Sequence, residues 1–252
     1  MKHLISALLL LGPLFTHPIL AAYPSEFKVT YQLKKIGLIA AETVITLDKK
    51  DHDTWVYQSS TETKGLVSLF RSDKIIEKTI LKRFPDEIKP ILYNYIHEGS
   101  KKNRNQAITF DWKNKKAKTI LKGHKNNISI SDDAIDNFSL QLRIMNDLND
   151  GKLQLAYNII NKGKLKSYKF EMLGKETIDT PLGELNTTKI KRTRKNGKRT
   201  TIMWLSPELH YLPVKIQHLE KDGTDFSLKI SQISGPITKG KKYGEIIVEE
   251  DD

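Results

Sequence analysis

The chain contains no cysteine. That excludes disulfides, thiolate metal sites, cysteine nucleophiles and a lipid anchor on an N-terminal cysteine. Beyond the N-terminus no run approaches the roughly 20 apolar residues of a membrane span, so the chain does not read as an integral membrane protein. Histidine is scarce. Beyond residue 22 only His52, His97, His124, His210 and His218 remain. No two of them have the i, i+4 spacing of a helical zinc site, and His218 reads as an ordinary polar position in a strand. The acidic group Asp132, Asp133 and Asp136 lacks the ligand spacing of a calcium loop and suits helix capping better. No G-x-S-x-G elbow, P-loop or G-x-G-x-x-G turn occurs; Ser68, after Gly65, lacks the second glycine of an elbow. The expectation is a non-enzymatic protein without a metal or other cofactor.

Cationic charge, by contrast, is plentiful. The 252 residues carry a formal charge of +12, with 38% hydrophobic and 29% charged residues. Such a chain can form a core and is drawn to polyanions. Residues 1–22 have the layout of a cleavable signal peptide. Lys2 precedes a short apolar core from Leu4 to Phe15, and Ala21-Ala22 offers small residues for cleavage. Export to a bacterial periplasm follows as the expectation, and it argues against nucleic acid as the partner.

Beyond residue 22 the dominant pattern is strand-like. Phe27 to Lys34 alternates with Phe27, Val29, Tyr31 and Leu33 on one face, the period of a half-buried strand. Similar segments recur at Trp55 to Thr63, Lys74 to Leu81, Gln106 to Trp112, Lys116 to Leu121, Leu153 to Ile160, Leu165 to Leu173, Leu185 to Thr193 and Phe226 to Ile233. Trp204 to Ile216 reads as a hairpin whose turn is bracketed by Pro207 and Pro213. Asn161-Lys162-Gly163, Asn196-Gly197 and Asp222-Gly223 are tight-turn chemistry. Leu66 to Phe70 is a compact apolar insert, one helical turn or a flap, and Asn126 to Asp133 reads as a polar connection. The period changes once. Phe138, Leu142, Met145 and Leu148 recur at helical spacing from Asp136, which can cap the first turn, to Asp150.

These elements predict a mainly β fold, a large curved antiparallel sheet or incomplete barrel with one amphipathic helix packed on it. Residues 23–238 form a single β-rich domain in this reading, and residues 239–252 a charged C-terminal tail.

Two candidate binding regions follow. One narrow helix cannot cover a sheet of about a dozen strands. The uncovered face must close, be plugged by Leu66 to Phe70, or remain as an apolar groove. Phe138, Leu142, Met145, Phe170 and Trp204 are expected to border that groove and to hold a lipophilic ligand. From Lys189 to Arg199 seven of eleven residues are cationic. Lys191, Arg192, Arg194 and Lys195 read either as a solvated hairpin tip or as a contact for anionic lipid headgroups or envelope polysaccharide. A structural protein with a packed core that contacts an envelope protein partner is the alternative.

Several short patterns, in order, resemble the exported family called domain of unknown function 3108. They are Gly37-Leu38-Ile39-Ala40-Ala41-Glu42, Phe110-Asp111-Trp112, Asp136-Asn137-Phe138-Ser139, Thr180-Pro181-Leu182-Gly183, Trp204-Leu205-Ser206-Pro207, Leu212-Pro213-Val214 and Asp222-Gly223. The resemblance spans about Phe27 to Ile233, with Ala41 where the pattern has glycine. It implies an exported β-rich protein and no catalytic residue. The Trp strand, Pro turn, Leu-Pro strand and Asp-Gly turn also look like the half-barrel of LolA-type carriers and RseB-type sensors, a likeness of fold that implies a concave side able to hold acyl chains.

Overall fold

The computed structural model describes residues 25–35, 38–70, 72–84, 87–99, 103–193 and 199–238. The expected signal peptide (1–22), the Asn196-Gly197 turn and the expected tail (239–252) lie outside the described residues.

The chain runs out along one arm of a single sheet and back along the other. The outward arm is β1 (Phe27–Lys35), β2 (Leu38–Lys49), β3 (Thr54–Thr63), β4 (Asp73–Arg83), β5 (Ile88–Gly99), β6 (Arg104–Asp111), β7 (Lys116–Leu121) and β8 (His124–Ser129), with the single-turn helix α1 (Val67–Phe70) between β3 and β4. The short β9 (Ile135–Asp136) and helix α2 (Leu140–Asn149) follow. The return arm is β10 (Leu155–Asn161), β11 (Lys164–Thr180), β12 (Gly183–Thr193), β13 (Arg199–Ser206), β14 (Leu212–Glu220) and β15 (Asp225–Ser234). β1 pairs with β15 and joins the arms, giving a 15-stranded sheet with β8 and β9 at its edges. Each pairing is antiparallel except that of β9 with β10. Local meanders of this kind follow directly from short turns. At Lys122-Gly123 and Lys162-Gly163 the positive φ of both residues (50° and 82°, 53° and 70°) turns the chain in two residues. At Gly163 a Cβ would also lie 3.3 Å from the Thr119 hydroxyl of β7, so the far ends of the two arms approach one another.

Strand alternation carries the core. In β2 buried and half-buried positions alternate from Ala41 to Leu47. The Trp204 hairpin forms as expected, β13 and β14 joined by a 3-10 turn over Pro207–Leu209. The helix is buried on two sides. Leu142 and Met145 pack with Phe27, Leu47, Tyr57 and Phe138, while Ile144 and Leu148 pack with Leu155, Tyr157, Ile190 and Met203. Tyr57 and Phe138 stack with ring centroids 4.0 Å apart. The helix therefore sits against both arms, inside the curve of the sheet.

Three expectations are corrected. Asn126 to Ser129 belongs to β8 instead of a connection, because its pairing with β7 supplies what its polar side chains do not advertise. β11 continues past Leu173 to Thr180, crossing an irregularity between Met172 and Gly174 that hides its period. Leu66 to Phe70 forms the expected helical turn but plugs nothing; Leu66, Leu69 and Phe70 project into solvent.

Candidate functional site

The inward-facing side chains change character along the strands. From one end of the sheet to the other, β4 presents Leu81, Thr79 and Glu77; β6 presents Phe110, Ile108, Gln106 and Arg104; β13 presents Leu205, Met203, Thr201 and Arg199. Successive members of each series are two residues apart and share a face. Burial falls along β6, from Phe110 and Ile108, which are buried, to Arg104, which is exposed. One end of the concavity is thus filled by apolar side chains and α2. The other stays open as a cleft of about 660 Å³ between the two arms.

The cleft is cationic. Arg104, Lys122, Lys162, Arg192 and Arg199 line it, and Glu77 is the one carboxylate among its described lining residues. Tyr93 donates a hydrogen bond to Glu77 Oε1 at 2.7 Å. Burial, reinforced by the charge of Asp136, pushes the Glu77 carboxyl up to about 7, and the Tyr93 hydroxyl only partly counters this. On the opposite wall His218 Nδ1 lies 2.9 Å from the Thr201 hydroxyl. Burial and then the charge of Arg199 push His218 down to about 4, so its ring is neutral near pH 7. The Arg192 guanidinium stacks 3.3 Å from the Tyr168 ring centroid, and Arg199 pairs with Glu220. Stacking and pairing hold these long side chains in place, lowering the entropy lost when an anion binds.

The residues expected to border an apolar groove lie away from this cleft or pack in the core. Leu142, Met145 and Trp204 are almost fully buried and Phe138 is buried against Tyr57; none of the four lines the cleft. Trp204 is occupied by its own neighbours, donating to Glu176 Oε2 at 3.0 Å with Lys189 and Lys215 beside its ring. Phe170 packs beside Tyr157 in the other cluster, so Phe170 and Trp204 are not brought together. The reason is the two-sided burial of α2. Its stripe faces packed side chains, and the residue of the concavity lies where the strands have become polar.

The basic hairpin divides. Lys191 bridges to Glu171 at 2.9 Å on the strand, while Arg192 turns to the cleft. Arg194 and Lys195 lie outside the described residues. Sequence reading missed Glu77, Tyr93, Arg104, Lys122, Lys162 and His218 as one set. A signal was present: polar residues at inward positions near one end of several strands. It needed the strand pairing to be joined up. Among the described residues no group of His, Asp or Glu could hold a metal ion. No helix among them is long and apolar enough to cross a membrane.

A single curved sheet, open between two edge strands and stoppered at one end by a helix, defines an incomplete β-barrel. The sequence profile of the family "Protein of unknown function (DUF3108)" matches residues 26–231, and the chain belongs to that family. Among solved structures, a β-barrel-like protein of the family DUF1849 from Brucella abortus superposes with a TM-score of 0.57 at 8% identity, covering 85% of this chain and 99% of that one. A candidate lipoprotein from Parabacteroides distasonis superposes with a TM-score of 0.34 at 11% identity, covering 84% of this chain and 96% of that one. A candidate exported protein with a YmcC-like fold from Bacteroides fragilis reaches 0.35 at 11% identity, covering 84% and 98%. The first superposition reaches the level of a shared fold; the other two do not. No curated protein matches the chain.

Proposed function

We propose that this is an exported, non-enzymatic binding protein whose open cleft takes an anionic component of the cell envelope. The observation that carries the reading is the charge of the cleft wall, five cationic side chains against one carboxylate whose ionisation is suppressed. The apolar segment Leu4 to Phe15 behind Lys2 supports export. Phosphate and carboxylate groups suit Arg and Lys at a wall of this kind. Ile160 and Leu121, the aliphatic side chains among the lining residues, suit a short alkyl portion of the same ligand.

The test is calorimetric titration with dodecyl phosphate and, for comparison, dodecyl maltoside, both below their micellar concentrations. The phosphate is expected to bind and the neutral amphiphile to bind at least about tenfold more weakly, with the difference reduced by salt. Arg104→Gln with Lys162→Gln is expected to remove most of the preference. Equal binding of both amphiphiles, or an unchanged preference in the double variant, overturns the reading.

A further inference from the structure

Five apolar side chains stand in solvent beside the end of the sheet where the cleft opens. Leu66, Leu69 and Phe70 of the α1 turn expose 69%, 74% and 88% of their surface, and Leu38 and Ile39 at the start of β2 expose 63% and 38%. They form one knob. The Lys64 amide donates to the Ala40 carbonyl at 3.1 Å, and Gly65 lies so near β2 that a Cβ there would be 2.9 Å from the Ile39 oxygen. A contiguous exposed apolar patch on a soluble protein marks a contact surface.

Charge identifies what it meets. In an antiparallel meander alternate turns lie at the same end. The described turns sharing the knob's end carry Lys64, Lys122, Lys162 and Lys221, and the neighbouring strand ends carry both signs, Lys34, Lys74 and Arg104 with Asp73, Glu98 and Asp225. Asp222 is the acid in the described turns there, and Glu62 beside the knob is matched by Lys74 at 3.5 Å. The turns at the opposite end have more acids than bases, Asp51, Asp53, Asp132, Asp133, Asp150 and Glu208 among them against Lys50, Lys113, Lys115 and Lys152. An apolar tip within a basic collar is the arrangement of proteins that seat in the interface of an anionic bilayer. We propose that the knob inserts into the acyl boundary of an anionic lipid bilayer while the collar meets its headgroups, turning the cleft mouth toward the membrane. The docking stands on the knob and collar, and would also place the proposed cleft ligand's source in that bilayer.

The experiment uses residues 23–252, which contain every described strand, so that the N-terminal apolar segment does not itself insert. Phe70→Trp adds an exposed indole to a chain whose Trp55 and Trp204 are buried and Trp112 half-buried. Vesicles of phosphatidylcholine with about a third phosphatidylglycerol are expected to shift the added emission to shorter wavelength, and lipids brominated in the acyl chain to quench it. Pure phosphatidylcholine vesicles are expected to bind at least about tenfold more weakly. Leu66→Ser with Leu69→Ser should keep the thermal midpoint, since both sites are exposed, yet lower partition onto the anionic vesicles about tenfold or more. An unquenched indole on bound protein, or unchanged partition of the double variant, overturns the docking. Arg192→Gln, in the cleft wall and not in the collar, separates the two ideas. Loss of dodecyl phosphate binding with the indole still quenched leaves the docking intact, and the reverse result leaves only the cleft.

Discussion

The Thr79 hydroxyl on β4 donates a hydrogen bond to Asp136 Oδ1 on β9 at 3.2 Å, across 57 residues of sequence. Both side chains are buried. The same carboxylate accepts the Phe138 and Ser139 amides at 2.9 and 2.8 Å and the Ser139 hydroxyl at 2.6 Å. One acid thus fixes the turn that leads into the helix and ties the edge of the return arm to the middle of the outward arm. It joins the arms where β8 and β9 are not paired with one another.

Thr79→Val keeps shape and volume and removes only the donor. A hydrogen bond to a charged group contributes about 1.5–3 kcal/mol, and the variant is expected to lose that much in urea unfolding. In a double-mutant cycle with Asp136→Asn the two changes should be clearly non-additive. Additive losses would show that the contact does not couple the arms.

Glu77 makes the cleft sensitive to pH. Its carboxyl is raised from 4.5 to about 7 in the folded chain, so between those values the folded state holds a proton that the unfolded state has released. Stability from this group is therefore full below about 4.5 and is lost as pH rises through about 7. The groups that face it are Tyr93 and Tyr95 on β5, Asp136 on β9 and, across the cleft, Arg192, Arg199 and His218. Protonated Glu77 also leaves the cationic wall unopposed. Dodecyl sulfonate, whose charge is fixed across this range, is expected to bind more tightly at pH 6 than at pH 8, and Glu77→Gln to flatten the dependence of both binding and thermal midpoint. A variant that keeps the parent's pH dependence in both measurements would assign the effect to another group.

Much of the fold was readable in the sequence, and the reasons it was readable are local. Phe27 to Lys34 shows its period because one face is buried and the other wet. Trp204 to Ile216 shows its turn because Pro207 can open a 3-10 turn and Pro213 sits where β14 begins. Asp136 is expected to cap the helix from its first residue; its carboxylate instead holds the Phe138 and Ser139 amides of the turn ahead of Leu140, where α2 begins. The lining of the site was not readable, because it depends on which strand ends come together. The same stripe from Phe138 to Leu148 suits a helix half-covered by sheet and a helix buried on two sides. Only the partners, Tyr57 from β3 and Met203 from β13, distinguish the cases. His218 reads as a plain strand residue until β14 is placed beside Thr201 of β13.

Tyr31 closes the join between the arms. Its buried hydroxyl donates to the Pro213 carbonyl at 2.8 Å, linking β1 to β14 past the intervening β15. Burial holds the phenol well above its ordinary range, so it stays a donor at every working pH. Tyr31→Phe strands a buried carbonyl, and the expected cost is about 1–3 kcal/mol. Because β1 and β15 carry the only strand pairing between the arms among the described residues, the loss should appear as a lower midpoint of one cooperative transition. Two separated transitions would mean that the arms fold independently.

Leu142 distinguishes packing from ligand contact. Its side chain is fully buried, as are those of Ile144 and Met145, and it meets the cluster that includes Tyr57 and Phe138. Leu142→Ala leaves a cavity in the stoppered end of the barrel and is expected to cost about 2–5 kcal/mol. A carboxylate at the same position would be buried in a largely apolar cluster, so Leu142→Glu should prevent stable folding. The cleft lies beyond this layer, and the Leu142→Ala protein should bind dodecyl phosphate as the parent does at a temperature where both are folded. Urea unfolding supplies the first quantity and titration the second. A Leu142→Ala protein with near-parent stability and weakened binding would move the ligand site from the charged mouth to the helix.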